Sequence, residues 1–389
     1  MIKRIVLACM LLVSSHSIAQ ELSQLTAARV QKAHQLAQDE KLKQAITMLN
    51  EIETSREYDR AYIARMLGVF YWQAGQAKSA ISHLEQAVSS GLLQDEQAWI
   101  TQRMLADLYL SEQRFGDALK HYYLLLNSPP KAQKVDDVWL RIAQAHYQLE
   151  QWADVIPAAK AYLRADQQDP IQPLSLMLGA QLQLEKWAQA IPTLEQLITL
   201  QPQKVTWWKQ LISLQMRLGK EGDALDTLAL AKLNQLELSQ SDKRMLAQLY
   251  AKRGVPERAA IEISQLDNAL SDVDLIVEQA TYWQMAKEWD KAIAIWQRAA
   301  TIDDKYYWNV AQLMVQQGDY LPALDVLNKV KGRAAEVALA KTRALYKLDR
   351  LEKALIEAKR ANNVAPSMQA ESWIKYLTQL RQASASSNS

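Results

Sequence analysis

The strongest constraint on this chain is a small residue that returns at a nearly fixed interval along most of its length. Ala45, Ala80, Ala118, Val155, Ala190, Ala224, Ala259, Ala292, Ala323 and Ala354 follow one another at gaps of 35, 38, 37, 35, 34, 35, 33, 31 and 31 residues. Such a period marks a stack of supersecondary units, each of which buries its apolar face on its neighbours. A second series runs ahead of the first as Leu67-Gly68, Leu105-Ala106, Ile142-Ala143, Leu246-Ala247 and Val310-Ala311. Small residues there let two helices approach closely and receive a large neighbour, for which Tyr71, Tyr109, Tyr250 and Trp283 are the candidates. Between the two series lie Gly75, Gly219, Gly254 and Gly318, suited to left-handed helix C-caps. Pro130, Pro170, Pro202 and Pro366 stop helices at the repeat ends.

Composition points the same way, because Leu, Ala, Gln, Lys and Glu dominate while Gly and Pro stand at ten each. Repeat two, with Leu67-Gly68, Tyr71, Gly75, Ala80, Leu84 and Ala87, resembles the tetratricopeptide pattern, whose period is ~34 residues. The resemblance implies an all-α, superhelical solenoid of about ten helix-turn-helix repeats over residues 20–371. The run Ser372-Trp373-Ile374-Lys375-Tyr376-Leu377 reads as an amphipathic capping helix over 372–381, which covers the apolar end of the stack. Residues 382–389 are low in complexity and read as a disordered tail. Pro157 and Pro192 fall inside second helices, where each is expected to kink the helix or delay its start. Lys341-Thr342 departs from the Leu-Gly or Leu-Ala pair usual in the first helix.

The N-terminus carries Lys3 and Arg4, nine apolar residues from Ile5 to Val13, and the small-x-small ending Ser17-Ile18-Ala19. This is the pattern of a cleaved signal peptide over residues 1–19, and it predicts a periplasmic protein. The run is far below the ~20 residues that span a bilayer. Cys9 after Val6-Leu7-Ala8 faintly resembles a lipoprotein box, but cleavage there would leave almost no apolar region, so the cysteine is not read as an anchor. The mature chain then has no cysteine, which excludes disulfides and thiol chemistry. Without Lys3 and Arg4, basic and acidic residues balance at 43 against 43, which argues against nucleic acid as a partner. No other segment approaches a membrane-spanning length, so no span is expected in the mature chain.

No catalytic constellation is legible. His34, His83, His121 and His146 are never three or four residues apart, the glycines form no phosphate loop, and the serines lack a nucleophile elbow. The chain therefore reads as non-enzymatic, with no cofactor and no metal. His83 and His121 occupy equivalent positions of adjacent repeats. Most of the twelve tryptophans read as packing residues.

The geometry of the tetratricopeptide family implies a concave groove lined by first helices. Its positions here supply Arg65, Arg103, Lys209, Arg217, Arg244 and Lys252, with Lys305, Arg343 and Lys347 beside them. Trp72, Tyr147 and Trp308, with Tyr62 and Tyr346, interleave with these cations. Cations and amphipathic aromatics on one face of a neutral protein predict a groove for an extended, polar or acidic peptide; ordinary solvation of exposed helix faces explains the same charges equally well. The carboxylate clamp of chaperone-binding relatives is not carried over, since only Asn309 comes close to its asparagine.

A narrower resemblance covers repeats six and seven. Trp207-Trp208-Lys209-Gln210-Leu211, Arg217-Leu218-Gly219, Ala224-Leu225, Leu246-Ala247-Gln248-Leu249-Tyr250 and Gly254-Val255-Pro256-Glu257-Arg258-Ala259-Ala260 resemble the tetratricopeptide proteins that accompany TonB energy-transduction systems of gammaproteobacteria. That likeness implies a periplasmic adaptor for TonB, ExbB and ExbD partners. A scaffold for envelope or cell-wall assembly, or a regulator of a periplasmic enzyme, is the alternative on the same fold.

Overall fold

The computed structural model describes residues 21–127, 129–131, 133–164 and 169–387. The signal peptide expected over 1–19 lies outside them. The chain forms two compact units, one reaching Leu200 and one beginning at Gln201. The described residues of the first hold α1 (Gln24–Gln38), α2 (Leu42–Asn50), α3 (Glu57–Gln73), α4 (Ala77–Ser89), α5 (Asp95–Ser111), α6 (Phe115–Asn127), α7 (Asp136–Gln148), α8 (Trp152–Arg164), α9 (Ile171–Gln183) and α10 (Trp187–Leu200). The second holds α11 (Val205–Arg217), α12 (Glu221–Leu233), α13 (Gln240–Lys252), α14 (Pro256–Ser264), α15 (Val273–Met285), α16 (Trp289–Ile302), α17 (Tyr307–Gln317), α18 (Tyr320–Leu327), α19 (Ala334–Lys347), α20 (Leu351–Val364) and α21 (Met368–Ser387). No strand occurs among the described residues.

Odd-numbered helices up to α19 are first helices and the even-numbered ones are their partners. Each first helix packs on its partner, and first helices also meet directly, as α1 with α3, α7 with α9 and α17 with α19. All ten aligned small residues, Ala45 through Ala354, are fully buried at 0% exposure. This is the packing that a tetratricopeptide-type repeat requires, and each unit is built of such helix-turn-helix repeats.

The turn inside every repeat has one geometry. Its left-handed residue lies five positions before the aligned small residue in all ten repeats: Glu40, Gly75, Gln113, Glu150, Glu185, Gly219, Gly254, Lys287, Gly318 and Asp349 all have positive φ. The next backbone N–H reaches back to close the last turn of the first helix, as in Lys41 to Leu36, Gln76 to Tyr71, Lys220 to Gln215 and Arg350 to Leu345, at 2.8–2.9 Å. This six-to-one bond is the signature of a Schellman cap. Four of the ten positions carry the glycine expected from the sequence. Six carry polar residues that adopt the left-handed region at some strain, opposed by this bond.

The second helix then starts three residues before the small residue in every repeat, from Leu42 to Leu351. Pro157 and Pro192 therefore do not delay α8 and α10, which begin at Trp152 and Trp187 like the rest and continue through the prolines. Both helices open on a tightened three-residue step, with Asp154 N–H bonding the Gln151 carbonyl and Gln189 N–H bonding the Lys186 carbonyl at 2.9 Å. Thr342 is accommodated in its fully buried small-residue position because its hydroxyl donates to the Ala338 carbonyl at 2.8 Å.

The capping helix is α21. It buries Ala370 and Leu377 completely against α19 and α20, beside Leu345, Leu355 and Ala358. It begins before residue 372, at Met368, and extends to Ser387, into the stretch expected to be a disordered tail. Pro366 is the last helix breaker, and the Gln-Ala-Ser run beyond Arg381 offers nothing to stop a helix already nucleated. At the other end, Asp59 is fully buried and accepts hydrogen bonds from the Ser23 N–H at 3.2 Å and the Thr26 hydroxyl at 2.8 Å, tying the start of α1 to α3. Burial pushes the Asp59 carboxyl upward, but these bonds and the charge of Arg56 outweigh it and hold its pKa below the usual value.

Two outcomes are expected. Gly68→Ala places a methyl 2.6 Å from the buried Leu84 side chain and should lower stability by about 1–3 kcal/mol in urea unfolding, with partial recovery in Gly68→Ala/Leu84→Ala. Because Asp59 has a lower pKa folded than unfolded, its contribution is complete above the unfolded value of about 4 and is lost as pH falls through the folded one; Asp59→Asn should cost about 1–3 kcal/mol at neutral pH and flatten the acid limb of a circular-dichroism melt series.

Candidate functional site

Four of the expected groove cations share one register position, fifteen residues before the aligned small residue: Arg65, Arg103, Lys209 and Arg244. Three are neutralised by the following first helix. Arg103 pairs with Asp137, and with Asp107 of its own helix at 3.8 Å, while its guanidinium lies 5.5 Å from the Trp99 ring. Lys209 stands 3.7 Å from Asp242. Arg244 reaches Glu278 at 2.8 Å, and Glu278 also accepts from the Tyr282 hydroxyl at 2.8 Å. Burial and the Glu278 charge push the Tyr282 phenol well above its usual pKa. These side chains act first as ties between successive repeats. Arg65 is buried, donates to the Thr101 hydroxyl at 3.1 Å, and lies 5.8 Å from the Tyr62 ring.

The other expected residues are dispersed. Lys252 pairs with Glu221 at 2.6 Å, and Lys305 with Asp303 at 2.7 Å. Arg217 is exposed at the end of α11, and Trp72 is exposed near the end of α3. Tyr147 packs edge-on to Trp152 at 4.9 Å and fills the space over Gly179, where a Cβ would lie 2.8 Å from its hydroxyl. It is a spacer between α7 and α9. His83 stacks on Tyr71 of its own repeat at 5.2 Å, His121 lies tilted against Tyr109 of its own at 5.4 Å, and burial lowers the pKa of both.

Trp308 leads to a further site. It stands at the same register position as the four cations and lines a cavity of about 620 Å³ in the second unit. From α17 the cavity takes Trp308, Gln312 and Gln316, three residues one helical turn apart on one face. From α19 it takes Glu336, Leu339 and Arg343, and from α21 Gln369 and Trp373. A second hollow of about 380 Å³ lies against Gln369, Ser372, Trp373 and Tyr376. Trp373 borders both. Tyr346 fixes the far side, with its ring 5.5 Å from Trp373 and its hydroxyl 2.8 Å from that of Tyr376. The Arg333 guanidinium lies 5.6 Å from the Trp308 ring. Among the described residues neither Arg343 nor Glu336 has an ion-pair partner.

The groove thus offers two indole surfaces, three side-chain amides and one charge of each sign. Trp373 and the glutamines were not singled out in the sequence, since Trp373 read as part of the cap and Gln is frequent throughout. The available signal was the four-residue spacing of Trp308, Gln312 and Gln316. Among the described residues, no group of three or more His, Cys, Asp or Glu is placed to hold a metal ion, and no helix is long and apolar enough to cross a membrane.

Residues 140–252, from within α7 to the end of α13, match the family model of the bacterial transcriptional activator domain. No curated protein matches the chain. Among solved structures it is similar to a tetratricopeptide repeat protein from Parabacteroides merdae, at 14% identity over 67% of this chain and 99% of that one, with a TM-score of 0.38. It is also similar to the C-terminal part of a TPR repeat-containing protein from Cytophaga hutchinsonii, at 15% identity over 71% of this chain and 95% of that one, with a TM-score of 0.39. The assignment to a tetratricopeptide-type fold rests on the ten buried small residues and the ten identical turns.

The inter-repeat ties yield a graded expectation. Glu278→Ala removes the acceptor of both Arg244 and Tyr282 and should cost about 1–3 kcal/mol, whereas Lys209→Ala, which breaks one longer and more exposed pair, should cost less than about 1 kcal/mol. Urea unfolding followed by circular dichroism would rank them.

Proposed function

We propose that this chain is a non-catalytic scaffold that holds an extended segment of a partner protein in the groove between α17, α19 and α21. The observation that carries the reading is the pairing of Trp308 and Trp373 with Gln312, Gln316 and Gln369 around one cavity. An extended peptide presents backbone N–H and C=O groups that need both acceptors and donors, and a glutamine amide supplies one oxygen acceptor and two N–H donors. Indole faces take apolar side chains with little loss of rotamer freedom. Arg343 and Glu336 then favour a segment carrying complementary charges.

The setting we propose is the periplasm, with the partner belonging to a TonB-dependent transport system. The support is the signal-like N-terminus through Ala19 and the resemblance over repeats six and seven. A role in envelope or cell-wall assembly uses the same groove with another client.

The test is capture from envelope extracts by the immobilised chain beginning at Gln20. Recovery of TonB, ExbB or ExbD is expected, and the loss of two aromatic anchors in Trp308→Ala/Trp373→Ala should weaken capture by about 30-fold or more with helicity unchanged. Recovery of peptidoglycan enzymes without TonB components would overturn the transport role. Equal capture by the double variant would overturn the groove.

A further inference from the structure

The polar groups of the groove between α17, α19 and α21 are weighted towards donors. Of its lining residues, Trp308, Trp373 and Arg343 carry N–H groups that can only donate, whereas only the Glu336 carboxylate is confined to accepting. Elsewhere in the chain the fold takes up indole N–H groups itself. Trp99 donates to the Leu125 carbonyl at 3.1 Å, Trp208 to that of Pro202 at 2.8 Å, and Trp296 to Gln284 Oε1 at 3.2 Å. Among the described residues no acceptor is placed on the Trp308 or Trp373 nitrogen, and both rings are half-buried at the cavity wall. An ordinary extended segment brings one N–H for every carbonyl and meets too few acceptors here. A proline keeps its carbonyl and has no N–H.

The aromatic lining favours the same residue. Trp373, Tyr346 and Tyr376 stand at 59–73° to one another with ring centroids 5.5–6.2 Å apart, and the hollow of about 380 Å³ opens against Trp373 and Tyr376. A pyrrolidine ring buries apolar surface on such faces without losing rotamer freedom.

The repeat also sets a spacing. Gln312 precedes Ala323, and Arg343 precedes Ala354, by eleven residues, so successive first helices present an N–H donor at one register position. α17 and α19 are in contact, and the axes of packed helices lie about 8–10 Å apart. A polyproline II strand rises about 9 Å in each three-residue turn. A strand laid across the first helices therefore brings a carbonyl to each at the same point of its own repeat.

We infer that the segment held in this groove is proline-rich and is bound as a polyproline II strand, its rings on Trp308, Trp373 and Tyr376 and its carbonyls on the indole, amide and guanidinium N–H groups. The inference rests on the scaffold reading for the place of the site, and adds the composition and conformation of what the site holds.

The experiment is calorimetric titration of the full chain with synthetic decaproline, with a decapeptide of alternating Gly and Ser as control. Decaproline is expected to bind about 10-fold or more tightly than the control, and Trp308→Ala/Trp373→Ala to lose about 10-fold or more of that affinity with helicity unchanged. Trp308→Phe/Trp373→Phe keeps aromatic faces in place and deletes both N–H donors; it should weaken decaproline by about threefold or more, and it keeps the test valid if the alanine variant fails to fold. Trp72→Ala, which removes an exposed indole of the first unit, should bind as the parent does. Equal binding of the two peptides, no binding of decaproline by the parent, or undiminished binding in both double variants would overturn the inference. A chain that captures its envelope partner through Trp308 and Trp373 yet does not prefer decaproline keeps the groove and loses only the proline-rich occupant.

Discussion

Everything in this fold follows from one tight turn repeated ten times. A left-handed residue, a six-to-one hydrogen bond, and a fully buried small residue five positions later fix how each second helix leaves its first. The small residue is sealed from solvent where the partner helix lies against it. Where the complementary position is glycine, as at Gly68, the space for a Cβ is already filled by Leu84. Local backbone geometry and close packing thus impose the same angle, and neither leaves it to the composition of the rest of the repeat.

That agreement explains why the repeat architecture was legible in the sequence. The small residues, the glycines at Gly75, Gly219, Gly254 and Gly318, and the breakers at repeat ends are steric necessities that leave a residue-type trace. The remaining six left-handed turns left none, because Glu40, Gln113, Glu150, Glu185, Lys287 and Asp349 pass for ordinary surface residues. Pro157 and Pro192 do not delay their helices for a related reason, since a helix start set by the turn does not shift for a proline five residues on. The length of α21 was missed because an Ala, Ser and Gln run carries no signal either for or against continuation once a helix is under way.

The groove was half legible. Trp308 was found because the repeat register points to it, whereas its partners come from α19 and α21 and converge only in three dimensions. The cations show the opposite failure. Their positions were right, but whether each is balanced depends on the acid of the next repeat, whose offset from the aligned residue varies between Asp137, Asp242 and Glu278. A charge in a repeat protein therefore has to be read against its neighbour before it is read as a ligand site.

The constancy of the inner turn also decides where the chain can change length. Intervals between repeats range from 31 to 38 residues, yet the distance from left-handed residue to small residue never varies. All the variation is confined to the outer connections and helix ends, such as those around Pro130, Leu236 and Asn268. Each unit consequently has one edge on which insertions, labels or recognition sequences can accumulate without disturbing the stack, and another on which a single added residue would rotate every side chain that follows out of register.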